Sequence, residues 1–320
     1  MQFMKDKPKI VSIMGPTGVG KTDLAISLSE TIPSEIISVD SVQIYKHLNI
    51  GSGKPSSKVL TKYPHKLIDI LELRQSYSMA LFRRDAMEEI IEATANKKIP
   101  LLVGGTMLYF RSIVEGISHM PSASTKIREK IYDEAGKKGW DFLHKKLSLI
   151  DPKSANKIHK HDSQRIQRAL EVYELTLKPM SFWQNKKRLN KSGLALDYEI
   201  FQFAIKPENR EIHRLQVERR FLSMLDNDLI GEVKNLLELK GINSDLKALK
   251  NVGYKQVCQY LEGHLSYDEM INRAVIATRQ LAKRQMTFLR GWKDIIWLPY
   301  DKESALSLIA NKIENKTLKT

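Results

Sequence analysis

The segment Gly15-Pro-Thr-Gly-Val-Gly-Lys-Thr22 limits what this chain can fold into more than any other. It fits G-x-x-x-x-G-K-[ST], in which glycines let the backbone wind until its N–H groups point at phosphate oxygens. Such a loop needs a strand before it and a helix after it. Lys9 to Met14 is a short apolar run, and Thr22 to Thr31 places Leu24, Ala25 and Leu28 on one helical side. The helix N-terminus adds a partial positive charge, Lys21 adds a full one, and the Thr22 hydroxyl suits magnesium. Gly15, Pro16, Thr17, Gly18, Val19, Gly20, Lys21 and Thr22 are therefore candidate phosphate-binding residues. The loop implies phosphate but not a reaction, and most such loops serve phosphoryl transfer.

The pattern around it alternates. Glu35 to Val39 and Ile99 to Val103 read as buried strands. Ser78 caps a helix reaching about Lys97, with Phe82, Ala86 and Ile90 four apart, and Met107 to Val114 is an apolar helix. Strand and helix in alternation predict an α/β fold with a mainly parallel sheet. After Pro121 the composition shifts. Ser124 to about Lys191 is helical and lysine-rich, Leu196 to Ile205 is a strand, and Glu208 to Gly291 is helical again. The expected organisation is a P-loop core in 1–120, a helical insertion in 121–195, and a segment 196–320 that completes the core and adds helices. Lys186 to Lys191 reads as a basic loop.

Ligands of open parallel sheets sit beyond the carboxyl ends of the strands. Asp40 directly follows the second strand, and Thr106 lies just past the third, so both should face the crevice of the P-loop. A carboxylate there can hold magnesium through water, accept a proton, or merely cap a helix. A threonine hydroxyl there can orient a nucleophile or cap a helix. Gly51-Ser-Gly-Lys54 imitates a second phosphate loop, but Pro55 stands where a hydroxyl residue and a helix should begin. A basic loop near the site is the better reading.

A net charge of +15 favours a polyanionic partner, either nucleic acid or an anionic membrane surface, or else serves solubility. No stretch approaches the roughly 18 uninterrupted apolar residues of a membrane span. Met1 to Lys9 has no apolar export segment. The single cysteine, Cys258, excludes an intramolecular disulfide and a cysteine-based zinc site, which fits a reducing cytoplasm. His159 and His161 have no partner cluster and read as a surface loop.

Several strings in order carry a likeness. They are the P-loop, Ser38-Val-Asp-Ser-Val-Gln-Ile-Tyr45, Ile50-Gly-Ser-Gly-Lys-Pro55, Pro64-His-Lys-Leu67 and Phe82-Arg-Arg-Asp85. Pro100-Leu-Leu-Val-Gly-Gly-Thr-Met-Leu-Tyr109 and Gln164-Arg-Ile-Gln-Arg-Ala-Leu-Glu-Val172 follow. Asn251-Val-Gly-Tyr-Lys-Gln256 and Thr278-Arg-Gln-Leu-Ala-Lys-Arg-Gln285 complete the set. Together they resemble the tRNA dimethylallyltransferase (tRNA isopentenyltransferase) family, from about residue 9 to 299. Val42 stands where arginine or alanine is common, and Gly53 where alanine is common.

The resemblance implies a P-loop NTPase-like core with dimethylallyl diphosphate and Mg2+ held by the loop, Lys21 and Thr22, and Arg220 adding charge. It implies Asp40 as base toward N6 of an adenosine beside the anticodon, with Thr106 positioning that adenosine or a water. The implied partner is a tRNA anticodon stem-loop, and the implied protein is a cytoplasmic monomer. For tRNA contact it points to Asp40, Ser41, Val42, Gln43 and Thr106 at the base. It points to Arg128, Gln164, Arg165, Ile166, Gln167 and Arg168 in the insertion, and to Arg279, Gln280, Lys283 and Arg284 near the C-terminus. The residues themselves agree in part. Arg165 and Arg168 are three apart, and Arg279, Lys283 and Arg290 fall within about 40° on a helix, opposite Ala274, Ala277, Leu281 and Phe288. A P-loop kinase of small molecules and a nucleotide-gated RNA-binding protein are the alternatives. The first leaves the basic helices unused, and the second gives Asp40 and Thr106 no shared role.

Overall fold

The computed structural model describes residues 7–117, 120–189, 194 and 197–314. They divide into two units, one of residues 1–114 with 197–320 and one of residues 115–196. The first unit is built on a six-stranded sheet in the order β3-β2-β4-β1-β5-β6. Its strands are β1 (Lys9–Met14), β2 (Ser34–Val39), β3 (His65–Lys66), β4 (Ile99–Gly104), β5 (Glu199–Ile205) and β6 (Ile296–Leu298). Every pair is parallel, so all carboxyl ends lie at one rim. Central β1 is a near-continuous apolar run because it is covered on both faces. Ile13 pairs with Val103 and with Phe203, and these side chains share one buried cluster with Leu24, Ala25 and Leu28. Full burial of one such side chain stabilises the fold by about 1.5–3 kcal/mol.

The first helices are α1 (Lys21–Ser29), α2 (Ser57–Lys62), α3 (Met79–Ala95) and α4 (Met107–Glu115). Ser78 caps α3 as expected, its hydroxyl accepting the Leu81 N–H, and Phe82, Ala86 and Ile90 are buried. The α/β alternation read from the sequence is thus present. Sequence reasoning missed β3, β6 and α2.

The second unit is helical in its described residues: α5 (Thr125–Lys138), α6 (Trp140–Ile150), α7 (Pro152–Ala155), α8 (Ser163–Thr176) and α9 (Met180–Leu189). It has its own core, with Ile131, Leu143, Leu147, Ile166 and Leu170 packed together. The basic stretch expected as a loop at Lys186 to Lys191 is helical through Leu189, and residues 190–191 lie outside the described residues.

Back in the first unit come α10 (Arg210–Asp226), α11 (Leu229–Glu238), α12 (Tyr254–Leu261), α13 (Tyr267–Arg290) and α14 (Lys302–Glu314). The 24-residue α13 starts with a capping box, Ser266 and Glu269 each satisfying the other's backbone N–H. Its buried residues Met270, Ala274, Ala282 and Leu289 return at helical spacing. Sequence reasoning also missed the last helix, α14, although Ala305, Ile309 and Ile313 are buried against α1.

Candidate active site

Three loops leave the carboxyl rim side by side. The first is the P-loop between β1 and α1. Gly18 and Gly20 have φ of 82° and 81°, left-handed values that a side chain would disfavour. α1 begins at Lys21 with no side-chain cap, which leaves its first amides for an anion. The Lys21 ammonium donates to the Pro16 carbonyl at 2.6 Å. Burial, then the charge of Arg220, push Lys21 down to about 7, against an upward pull from Asp40. These couplings put Lys21, Arg220 and Asp40 in one electrostatic neighbourhood.

The second loop follows β2. Asp40 Oδ1 accepts the N–H groups of Val42 at 2.8 Å and Gln43 at 3.2 Å. No helix follows β2 before Ser57, so Asp40 caps a turn and not a helix, while its Oδ2 makes no hydrogen bond among the described residues and stays available. The third loop follows β4. Gly104 has no room for a side chain, since a Cβ would strike the Val39 backbone. The Thr106 hydroxyl does not cap its own helix. It accepts the Ser41 N–H at 3.2 Å and donates to the Ser41 hydroxyl at 3.4 Å. Thr106 thus ties the β4 loop to the turn that aims Asp40.

These loops border a cavity of about 830 Å³ lined by Lys21, Thr22, Asp40, Gln43 and, from α10, Arg220. A volume of this order admits a diphosphate and a nucleobase together. The guanidinium of Arg220 lies against the backbone of Gly53, where any side chain would collide with it. The loop around Gly53 is pinned from behind. Glu232 accepts the N–H groups of Asn49, Ile50 and Gly51, and Tyr254 donates to Glu232 at 2.6 Å. Lys54 lines the cavity but pairs with Asp69 at 2.5 Å. The Gly51 to Lys54 segment is thus a loop beside the site, as expected. Thr22 offers a hard oxygen at the mouth of α1, which fits magnesium held mainly by water and diphosphate. No cluster of three His, Cys, Asp or Glu exists among the described residues, so an all-protein metal cage is not offered.

Two site residues escaped sequence reasoning. Gln285 on α13 accepts the Thr17 N–H at 2.9 Å and donates to the Gly105 carbonyl at 2.9 Å. The His213 Nε2, on α10, lies 2.8 Å from the Thr17 carbonyl and donates to it. Gln285 closes one of the strings that carry the family likeness, but only tertiary structure brings it to the P-loop.

The residues expected at RNA divide. Gln280, Lys283 and Arg284 are exposed on α13, as are Arg273 and Arg290. Arg279 instead turns to α10 and pairs with Glu218 at 2.8 Å. In the second unit Gln164 and Arg165 are exposed at the start of α8. Ile166 is fully buried and Gln167 is 6% exposed, so their side chains belong to the core and not to an RNA surface. α8 is buried along most of its length, with Ala169, Leu170, Glu171 and Val172 also inward. Arg128 and Arg168 both clamp Glu171, which is fully buried: Arg128 through two bonds of 2.9 and 3.2 Å, Arg168 through one of 2.7 Å. Burial alone would push the Glu171 carboxyl up, but the two arginines and the Ser124 N–H outweigh it and hold it below the ordinary range. Neither arginine is a free cation.

Comparison with known proteins gives a consistent result. The family model described as IPP transferase matches residues 43–292. The crystal structure of a tRNA isopentenylpyrophosphate transferase from Bacillus halodurans is 32% identical, covers 97% of each chain and superposes with a TM-score of 0.70. The tRNA delta(2)-isopentenylpyrophosphate transferase of Staphylococcus epidermidis is 29% identical, with 97% of this chain and 100% of that one covered and a TM-score of 0.69. A eukaryotic dimethylallyltransferase captured acting on tRNA is 25% identical over 97% of this chain and 79% of its own, with a TM-score of 0.77.

Proposed function

The chain belongs to the IPP transferase family, and from that premise we propose that it moves a dimethylallyl group from its diphosphate to N6 of an adenosine in the anticodon loop of tRNA. It is an enzyme of tRNA prenylation. The observation that carries the finer reading is the convergence of Lys21, Arg220 and the free oxygen of Asp40 on one cavity.

The diphosphate lies against the first amides of α1 and Lys21, with Arg220 across from it. N6 attacks the allylic carbon, the C–N bond forms as the C–O bond breaks, and pyrophosphate leaves with the electron pair. The proton released from N6 passes to Asp40 Oδ2. Cations around the diphosphate stabilise the charge that builds on the leaving group. N6 of a purine is a weak nucleophile, so orientation supplies much of the acceleration. Thr106 contributes by fixing the Ser41 turn that aims Asp40. The Thr22 hydroxyl would help hold magnesium, which when bound would supply further neutralisation of the leaving group.

The target adenosine stands in a single-stranded loop, from which a base is turned out at modest cost. The exposed Arg273, Gln280, Lys283, Arg284 and Arg290 of α13 suit a phosphate backbone, and so, within the second unit, do the exposed Gln164 and Arg165. The protein works as a monomer where tRNA is modified, in the cytoplasm. No helix among the described residues is long and apolar enough to cross a membrane. No observation favours the kinase or the nucleotide-gated alternative. Incubation with tRNA and labelled dimethylallyl diphosphate, beside labelled ATP, tests the reading. Label should enter tRNA from the allylic donor alone. Label passing from ATP into a small molecule would overturn it.

A further inference from the structure

We infer that Gln285 is a positioning residue that sets the spacing between the leaving-group cradle and the acceptor side of the site. The inference rests on the function proposed above. The reaction needs the attacking nitrogen, the allylic carbon and the departing oxygen in line, so the two loops that hold them must keep a fixed separation. One side chain spans both. The Gln285 amide oxygen holds the Thr17 N–H in the P-loop, and its amide nitrogen holds the Gly105 carbonyl, next to Thr106.

The link is rigid for three reasons. Both bonds are 2.9 Å long. Thr17 is held from its other side by His213 on α10, so the P-loop residue is gripped at N–H and carbonyl by two different helices. The Gly105 end is tight, because a Cβ there would meet the Gln285 amide nitrogen at 2.5 Å and the Gly15 carbonyl at 3.5 Å. A second consequence follows for the cradle. The Thr17 amide is committed to Gln285, so the anion is left to amides further along the loop. An amide side chain suits this bridge because it supplies one acceptor and one donor at fixed separation, without adding charge beside a diphosphate.

The test uses the full-length protein, tRNA and dimethylallyl diphosphate. Gln285→Met keeps the length of the side chain and removes both bonds. Gly105→Ala displaces the same amide from the opposite side. Each should lower kcat at least about tenfold, with KM for the allylic diphosphate and Kd for pyrophosphate within about threefold of wild type. The double variant should be no slower than the worse single one, because both break one link. Melting temperatures report folding, and rates are compared per folded molecule. A kcat within twofold of wild type, or a loss matched by the folded fraction, overturns the inference while wild-type transfer still upholds the function. A wild type that moves no label into tRNA sinks both.

Discussion

Lys21 and Pro16 are bonded to each other within one turn of loop, ammonium to carbonyl, at 2.6 Å. A bound diphosphate competes for that ammonium. Burial and Arg220 push Lys21 down to about 7, so above neutral pH it is mostly uncharged in the free protein. An incoming anion favours the charged form and raises the value, so binding at pH 8 takes up a proton. The contribution of Lys21 to affinity should be constant below pH 7 and should fall by up to about tenfold per pH unit above it, until the bound-state value is reached. Calorimetry of pyrophosphate binding in buffers of different ionisation enthalpy measures the uptake. Lys21→Met should abolish it.

Asp40→Asn is a clean substitution here. The Asn carbonyl can still accept the Val42 and Gln43 N–H groups that now bind Oδ1, so the turn persists while the proton acceptor is lost. Transfer should fall at least about a hundredfold, with tRNA and pyrophosphate affinities retained. Turnover close to wild type removes Asp40 from the role of base.

The two cationic neighbours on α13 should behave differently. Lys283→Ala should weaken tRNA binding and reduce the slope of log affinity against log salt by about one. Arg279→Ala breaks the bond to Glu218 and should show mainly as a small loss of stability, within about 1 kcal/mol for a partly exposed pair. Equal salt slopes in the two variants would contradict the assignment of their faces.

Glu171 makes the second unit sensitive to acid. Its folded value is held low by Arg128 and Arg168, so its contribution is present above the unfolded value of about 4.3 and is lost as pH falls through the folded one. Glu171→Gln should remove that acid sensitivity and cost about 2 kcal/mol at neutral pH, since two guanidinium groups lose their carboxylate. Chemical denaturation followed at several pH values measures both.

The central elements are legible in the sequence because they are long enough to carry a pattern. β1 begins and ends where the apolar run does, and the Ser78 cap is readable from one residue. β3 and β6, with two and three residues, carry no period to read. Site residues divide in the same way. Lys21, Asp40 and Thr106 are announced by their places at strand ends. Gln285 and His213 act across 268 and 196 positions of chain, and no local pattern announces them. Helical spacing correctly puts Arg279 on the side of Lys283, yet Glu218, 61 positions away, turns it inward. The family likeness implies RNA contact for Arg128 and Arg168, but their shared carboxylate sits on α8 one turn past Arg168.

The short outer strands have a colloidal meaning. An unpaired strand edge is a template on which another chain can build. Here the sheet stops in β3 and β6, which expose little main chain to copy. At the β3 margin Lys66 also sits among Glu35, Glu89 and Glu92. A ribbon of neighbours would have to strip that charged fringe to gain two residues of ladder. Crowded solutions of this protein should therefore resist edge-to-edge growth at these two margins, even though the strands between them are largely buried and apolar.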